Sequence, residues 1–285
     1  MMKTLILLIC LATGFETFAQ TSSELFDKTK MEYKGSKIEQ AKRLLRNVKM
    51  WGVIENKEPN IDLAFQNLLN SAPEISKEQL KNYLQRASIT NNEICGNIDL
   101  PVSHILVNGN NVYAKYFVIH DMSTPAYENN FPENINSSTW SKNNLTSWNW
   151  PKGSEPSHSI VTRTGKSKTL NDFGLGWRAT KFEKKIGVSC RGLFLHIELL
   201  QPRIYPPGNA VSAPVAPTPG FTDAQYQRLA LLYICASIRK GEWLVPAFHV
   251  NIDEGLKDGH DDPQNFELDK FTSEVLRLIA LIKTS

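Results

Sequence analysis

The sequence contains no basic stripe and no arginine-rich run, and its formal net charge is only +3. Proteins that bind nucleic acid usually cluster Lys and Arg against the phosphates, so we expect no nucleic-acid partner. Beyond the N-terminal segment, no stretch is long and apolar enough to cross a bilayer. There is also no internal repeat. A chain of 285 residues that is 41% hydrophobic can form one medium-sized domain with a smaller addition.

Cysteine is scarce, with 4 residues in the whole chain. Apart from Cys10 near the N-terminus, Cys95, Cys190 and Cys235 remain, which allows at most one internal disulfide. Cys235 falls on the apolar pattern of a predicted helix and is expected to be a buried thiol. Cys95 and Cys190 each precede a predicted strand, so they are the candidate pair in an oxidising compartment.

Residues 1–19 have the pattern of a secretory signal peptide. Lys3 provides a positive n-region, residues 5–12 form a short apolar h-region, and the small residues of "TFA" indicate cleavage after Ala19. We therefore expect export from a bacterial cytoplasm, to the periplasm or beyond. Lipidation at Cys10 is the less favoured alternative, because Ile9 is a poor residue directly before a lipidated cysteine.

Residues 20–95 are predicted to form a small helical region. Ile38, Ala41 and Leu45 share one helical face, and Ser76 with Gln79 has the spacing of a capping box. This region shows no chemical motif of its own. Its role is left open by the sequence.

From residue 96 onward, predicted strands alternate with predicted helices, which favours a layered α/β fold. The patterns of "NVYAKYFVIH" and "GLFLHIELL" predict strands, and those of residues 222–241 and 269–282 predict helices. Between them lie a long polar insertion at residues 121–157 and a proline-rich loop after residue 200.

Two histidines follow apolar stretches of the sequence. His120 ends the pattern "YFVIH", and His249 follows "WLVPAF". A strand end can deliver a side chain to a site, although a histidine that merely caps a strand is the simpler interpretation of His120 alone. Acidic residues, among them Asp262, follow His249 closely. Two imidazoles and a carboxylate form a zinc-binding set that leaves one position open for water.

Glu198 lies in the middle of an otherwise apolar strand pattern. A buried carboxylate is unfavourable unless it is paired or linked to a metal. One interpretation is an ion pair with Arg178 or Arg191, and the other is a general base near the metal. His196 lies two residues before Glu198, so both side chains should point to the same face of the strand. His196 is expected to be a packing or supporting residue.

Six segments of the chain follow one another in the order found in zinc-dependent N-acetylmuramoyl-L-alanine amidases. They are "FVIHDMSTP", "SHSIVTRTGK", "LHIELLQP", "FTDAQYQRLALL", "PAFHVNID" and "GHDDPQNF". The chain resembles this family, which is related to phage lysozyme-type amidases and peptidoglycan recognition proteins. The resemblance covers about residues 96–285 and does not include residues 20–95.

The resemblance implies a central mixed β-sheet flanked by helices, with residues 96–285 as a zinc amidase domain and residues 20–95 as an extension. It also implies that His120, His249 and Asp262 bind Zn²⁺. Glu198 corresponds to the glutamate that the family associates with the catalytic water.

This chain departs from the family pattern at several positions. His260 stands where lysine is frequent, and it could donate to a developing oxyanion. It could instead be the third ligand, with Asp262 as its partner; Asp262 is favoured because a proline follows it. Gln264 stands where the family often has glycine, and Asp121 stands where some members have histidine.

Two features are candidates for substrate binding. His158 corresponds to a histidine or aromatic position near the substrate groove of the family. The insertion carries Trp140, Trp148 and Trp150, which could stack on sugar rings or simply hold the loop in place.

The resemblance therefore implies an exported enzyme that hydrolyses the amide between N-acetylmuramic acid and L-alanine, with peptidoglycan or muropeptides as the partner. One alternative is a peptidoglycan-binding module without activity. Another is a different zinc amide hydrolase that acts on stem peptides. The complete set of candidate ligands favours catalysis.

Overall fold

The computed structural model describes residues 20–186, 190–205, 214–256 and 260–284. The predicted signal peptide, including Cys10, lies outside the described residues. In the part of the chain that is described, none of the helices is both long and apolar enough to span a bilayer.

The described residues form helices and strands that alternate along the chain. The helices are α1 (Lys37–Leu44), α2 (Leu63–Asn70), α3 (Lys77–Arg86), α4 (Lys181–Lys185), α5 (Asp223–Lys240), α6 (His249–Ile252) and α7 (Leu268–Lys283). The strands are β1 (Phe26–Asp27), β2 (Glu32–Tyr33), β3 (Val48–Lys49), β4 (Val53–Ile54), β5 (His104–Val107), β6 (Asn110–Tyr113), β7 (Tyr116–Asp121), β8 (Ala126–Tyr127), β9 (Ser159–Val161), β10 (Ser167–Thr169), β11 (Phe194–Leu199), β12 (Arg203–Ile204) and β13 (Val245–Phe248).

The largest sheet has five strands in the order β10-β9-β11-β7-β13. Strands β9, β11, β7 and β13 run parallel, whereas β10 pairs antiparallel with β9. Every residue of β7 and β13 is buried, as expected for central parallel strands covered on both faces. The protein is thus mixed α/β with a mixed sheet, which confirms the predicted class in outline.

Helix α5 forms as its sequence predicts. Thr222 and Gln225 make a reciprocal capping box at its start, and Gly241 ends it in a left-handed conformation with φ 83°. The helix is buried along most of its length and packs on α7.

Residues 20–95 contain three helices, α1, α2 and α3, as expected for a helical region, and also two short hairpins that were not predicted, β1–β2 and β3–β4. Apolar side chains of this region, such as Leu44 and Phe65, belong to the same core cluster as those of the sheet. Tyr116 of β7 makes polar contacts with the region as well. Its hydroxyl donates to Gln40 Oε1 at 3.0 Å and accepts from the Tyr33 amide at 2.7 Å.

The interpretation of "NVYAKYFVIH" as one strand is wrong. The segment divides into β6 and β7, which belong to different sheets. Strand β6 pairs with β5 in a hairpin whose turn residues Asn108 and Gly109 have φ of 50° and 81°. Asn-Gly is the preferred pair for such a turn, so the hairpin signal was present in the sequence.

The candidate disulfide between Cys95 and Cys190 is not formed. Both thiols are free and buried, and so is that of Cys235, as predicted. The Cys95 thiol lies against the His158 carbonyl and the Cys190 thiol against the Glu183 carbonyl. The strand that follows Cys95 belongs to the β5–β6 hairpin and not to the central sheet, so the two cysteines do not precede neighbouring strands.

Candidate metal centre

Strands β7 and β13 bring His120 and His249 together. The two strands are parallel neighbours, with Phe248 paired to Ile119, so each histidine follows at the carboxyl end of its strand. Functional side chains commonly gather at this edge of a parallel sheet. The ring centroids of the two histidines are 4.5 Å apart, and both rings are buried.

Asp262 completes a group of three potential ligands. Its Oδ2 lies 2.9 Å from His249 Nδ1 and 3.5 Å from His120 Nδ1. One ligand atom from each residue lies within 4.8 Å of the other two. Two ligands bound tetrahedrally to one ion at typical Zn–N and Zn–O lengths would be about 3.4 Å apart. The three residues could therefore hold a metal ion with little rearrangement.

The competing assignment of His260 as third ligand is less consistent with this geometry. The His260 side chain is 55% exposed, and its Nδ1 lies 3.4 Å from Asp262 Oδ1. It stands at the rim beside Asp262, with its ring centroid 4.7 Å from that of His249. Among the described residues, the donor atoms of His120, His249 and Asp262 converge, and all three side chains are buried.

The Asp262 carboxylate has an atom suited to a cation. Its Oδ1 is buried and has no hydrogen-bond partner among the described residues, and the same is true of Glu198 Oε2. A buried carboxylate oxygen without a donor is unfavourable unless a cation or water completes its shell. The two nitrogen donors and one oxygen donor therefore fit a divalent metal.

Asp253 fixes the orientation of the His249 ring. Its Oδ2 lies 3.1 Å from His249 Nε2, which leaves Nδ1 directed at Asp262. The carboxylate also accepts the backbone amides of Lys181 and Phe182 at 2.9 and 2.7 Å. Carboxylates in this position fix the ring tautomer and raise the affinity of the histidine for metal.

We expect Asp253→Asn to weaken zinc binding about 10- to 100-fold, the usual effect of removing such a partner. Both carboxylate oxygens accept hydrogen bonds, and asparagine offers only one oxygen, so a donor would lose its acceptor. Competition with a chromophoric chelator measures the dissociation constant. Asp223→Asn, at a side chain that is 79% exposed, serves as the control. An unchanged constant for Asp253→Asn would show that the carboxylate does not support the ligand.

His196 supports His120 from the adjacent strand. Its Nδ1 lies 3.0 Å from His120 Nε2, so His120 Nδ1 faces the other ligands. On its far side, His196 Nε2 lies 3.3 Å from Glu183 Oε2, although the angle is not that of a hydrogen bond. Burial lowers the pKa of His120 and of His196 to about 3, so both rings are neutral and able to bind metal or hydrogen-bond partners.

His158 does not line the cleft. It is 0% exposed, and its Nδ1 accepts the backbone amide of His196 at 3.0 Å. Its Nε2 lies 3.0 Å from the Leu175 carbonyl and donates to it. Both ring nitrogens are thus committed to the backbone. The family resemblance implied a substrate contact at His158, whereas the structure places this side chain in the core and outside the lining of the cleft.

Glu198 lies beside His120. Strands β11 and β7 are parallel, with Glu198 paired to His120, and Glu198 Oε1 is 3.9 Å from His120 Nδ1. No ion pair with Arg178 or Arg191 is present among the described residues. Burial, followed by the charge of Asp262, raises the pKa of Glu198 well above its ordinary value.

Asp121 and Arg203 hold the loop that carries Asp262. Arg203 Nη2 donates to Asp121 Oδ2 at 2.6 Å, and the same oxygen accepts the Gln264 amide at 3.1 Å. Arg203 also lies 3.7 Å from Asp261 Oδ1. The Asp121 carboxylate is therefore engaged in positioning the loop, although the residue lines the cleft.

The amino-terminal region reaches the turn behind His249 through Glu254. Glu254 Oε2 accepts the amide and the hydroxyl of Ser22, both at 2.8 Å. The same oxygen pairs with Arg46 at 2.6 Å and with Arg43 at 3.2 Å. Although burial opposes it, the hydrogen bond and charge of Arg46 lower the pKa of Glu254. Glu254 follows Asp253 directly. The contacts of residues 20–95 with Glu254 therefore help to position Asp253, which in turn orients the potential ligand His249.

The turn of the β3–β4 hairpin packs closely against the backbone of His260, beside Asp262. Gly52 has φ +67°, and a Cβ at this position would overlap the carbonyl oxygen of His260. The close approach of the two backbones requires glycine here. Asn251 adds a link, because its side chain donates to the Arg46 carbonyl at 2.8 Å.

The three potential ligands open into a cleft of about 440 Å³. Glu198, His260, Trp148 and Trp150 also line it. Trp140 does not line the cleft but lies in a small buried cluster with Ile135 and Leu200, against which Trp148 packs.

Sequence reasoning missed Asp253 and Glu183, and a signal existed for each. Asp253 lies four residues after His249, a spacing that brings side chains together on one helical turn. Glu183 follows Thr180 at the spacing of a capping box, and its Oε2 accepts the Thr180 amide at 2.9 Å. Burial raises the pKa of Glu183 to about 7.

The chain matches no family model, no curated protein sequence and no solved structure.

Proposed function

We propose that the protein is an exported, zinc-dependent N-acetylmuramoyl-L-alanine amidase. The observation that carries the proposal is the meeting of His120, His249 and Asp262 in a cleft that Glu198 also lines. These are the residues that the resemblance to the amidase family selects from distant segments of the sequence. Their convergence supports that resemblance, and with it an amidase-like arrangement of the mixed sheet.

Zinc is the metal that suits this donor set best. Two imidazole nitrogens and one carboxylate oxygen are a typical ligand set of catalytic zinc sites, which keep a fourth position open. Zn²⁺ bound there would polarise an amide carbonyl and lower the pKa of water to about 7. The open cleft on the ligand side gives a substrate amide access to this position.

Glu198 is proposed to take the proton from the attacking water and to pass it to the leaving amine. Its carboxylate lies on the cleft side of β11, and Oε2 has no donor among the described residues. A raised pKa suits this role, because a base works best when its proton affinity is close to the working pH. Both proton transfers then need only one side chain.

His260 is proposed to stabilise the oxyanion of the tetrahedral intermediate. Its exposed ring stands at the rim of the cleft, 3.4 Å from Asp262 Oδ1, where it can turn toward a bound carbonyl oxygen. An imidazole N–H can donate to a developing oxyanion much as a lysine ammonium does. Peptidoglycan or released muropeptides are the proposed partners.

Digestion of purified sacculi tests this function. The metal-loaded protein is expected to release stem peptides with a free L-alanine amine and to leave the lactyl carboxylate on the sugar, as identified by mass spectrometry. A chelator should stop the release, and added Zn²⁺ should restore it. Cleavage inside the stem peptide would identify a different amide hydrolase, and zinc-dependent binding without products would identify a recognition module.

A further inference from the structure

The lining of the cleft includes two tryptophans of the insertion, Trp148 and Trp150. Their rings are stacked, with centroids 6.0 Å apart and an interplanar angle of 17°. Both side chains are half-buried. The two stacked indoles thus add an apolar aromatic plate to a cleft that is otherwise lined largely by polar and charged groups.

Trp148 is the fixed member of the pair. Its indole N–H donates to the Lys142 carbonyl at 2.8 Å, and its own carbonyl accepts from Lys168 Nζ at 3.0 Å. The ammonium group of Lys142 also lies 5.7 Å from the ring centroid. These contacts hold Trp148 in place and commit its polar atoms to the insertion and to β10.

Trp150 is half-buried, and its indole N–H is not among the buried polar atoms that lack a partner, so a ligand in the cleft can reach it. It packs on the fixed ring of Trp148 and lines the cleft. Indole groups in proteins usually present an apolar face together with a donor that finds a partner. A pyranose ring offers both complements, because its axial C–H groups form an apolar face and its hydroxyl and acetamido oxygens accept hydrogen bonds.

We infer that Trp150, supported by Trp148, binds the N-acetylmuramic acid ring and makes the enzyme select amides attached to a sugar. This inference rests on the proposed function, because the cleft must hold the lactyl amide between the sugar and the peptide. The plate would then contact the sugar while Glu198 and the ligand group act on the amide.

The test compares two substrates that share the same scissile bond. One is a muramyl peptide, and the other is the matching D-lactyl peptide, which lacks the sugar ring. Trp150→Ala is expected to lower kcat/KM for the muramyl peptide about tenfold, the value of one good aromatic contact. Its kcat/KM for the lactyl peptide should fall much less, because that substrate has no sugar ring to contact Trp150. Trp150→Phe should retain most of the selectivity, because a flat ring remains.

Controls separate this role from a structural one. Tyr113→Ala removes an exposed aromatic side chain outside the cleft and should leave both substrates unaffected. Zinc content should be equal in all variants. Equal losses on both substrates, or no loss on either, would overturn the inference.

Measuring the affinity for the muramyl peptide tests the role of Trp150 independently of turnover. Calorimetry with the muramyl peptide, in protein carrying Glu198→Gln, should show weaker binding when Trp150→Ala is added. If the wild-type protein cleaves neither substrate, the proposed function fails. If muramyl peptide affinity does not depend on Trp150, the inference about the sugar fails.

Discussion

Replacing His249 with alanine is expected to remove stoichiometric zinc and to reduce amidase turnover to background. The ring provides one of only three protein donors in the group, and Asp262 would be left buried without the partner 2.9 Å away. A metal that binds the folded state stabilises it by mass action. Zinc should therefore raise the melting temperature of the wild-type protein and have no such effect on the variant.

Elemental analysis after dialysis measures the metal content of each protein. His104→Ala is the matched control, because His104 is an exposed histidine of β5 outside the cleft. This control should retain both zinc and activity. If His249→Ala retained one zinc per chain, His249 would not be a ligand, and the proposed metal centre would be refuted.

The second large effect is expected for Glu198→Gln, which should keep the metal but lower turnover about 10²- to 10⁴-fold. Glutamine has nearly the same shape and cannot accept the proton of the attacking water. Zinc content and melting temperature are expected to match those of the wild type, since Glu198 is not one of the three convergent donors. The exposed Glu242→Gln variant should behave as wild type in every assay.

The pH dependence of kcat/KM gives an independent test of Glu198. A general base must be ionised, so activity is lost as the pH falls through its pKa. Because burial raises the pKa of Glu198, this acidic limb should lie above the value of about 4.3 typical of an exposed glutamate. The limb should disappear from the residual activity of Glu198→Gln. Full turnover in the variant would exclude the assigned role.

The sequence was sufficient to select His120, His249, Asp262 and Glu198. His120, His249 and Glu198 stood out because a polar residue followed or interrupted an apolar strand pattern. Asp262 was selected from the acidic loop after His249, because the resemblance matches it to the family's Asp-Pro step. The strand order could not be read from those patterns, and it is the strand order that makes β7 the neighbour of both β11 and β13. The convergence of the four residues therefore depended on the resemblance to a known family until the structure showed it.

The features that sequence reasoning missed depend on contacts made after the chain has folded. The burial of His158 follows from the backbone groups of His196 and Leu175, which lie 38 and 17 residues away along the chain. The free thiols of Cys95 and Cys190 depend on which sheet the following strand joins. A period of two residues cannot distinguish a strand of the central sheet from a strand of a separate hairpin.

The contacts that Glu254 makes with residues 20–95 bear on whether residues 96–285 can work as a separate fragment. One carboxylate joins Ser22, Arg43 and Arg46 to the turn that holds Asp253, and the hydrophobic core is continuous across the same boundary. We therefore expect metal binding at this group to depend on residues 20–95 as well as on the segments that carry the three potential ligands. A fragment that begins at residue 96 would contain every donor atom and still lack the framework that keeps one of them in place. Replacing residues 20–95 with an unrelated segment is expected to weaken metal binding as well.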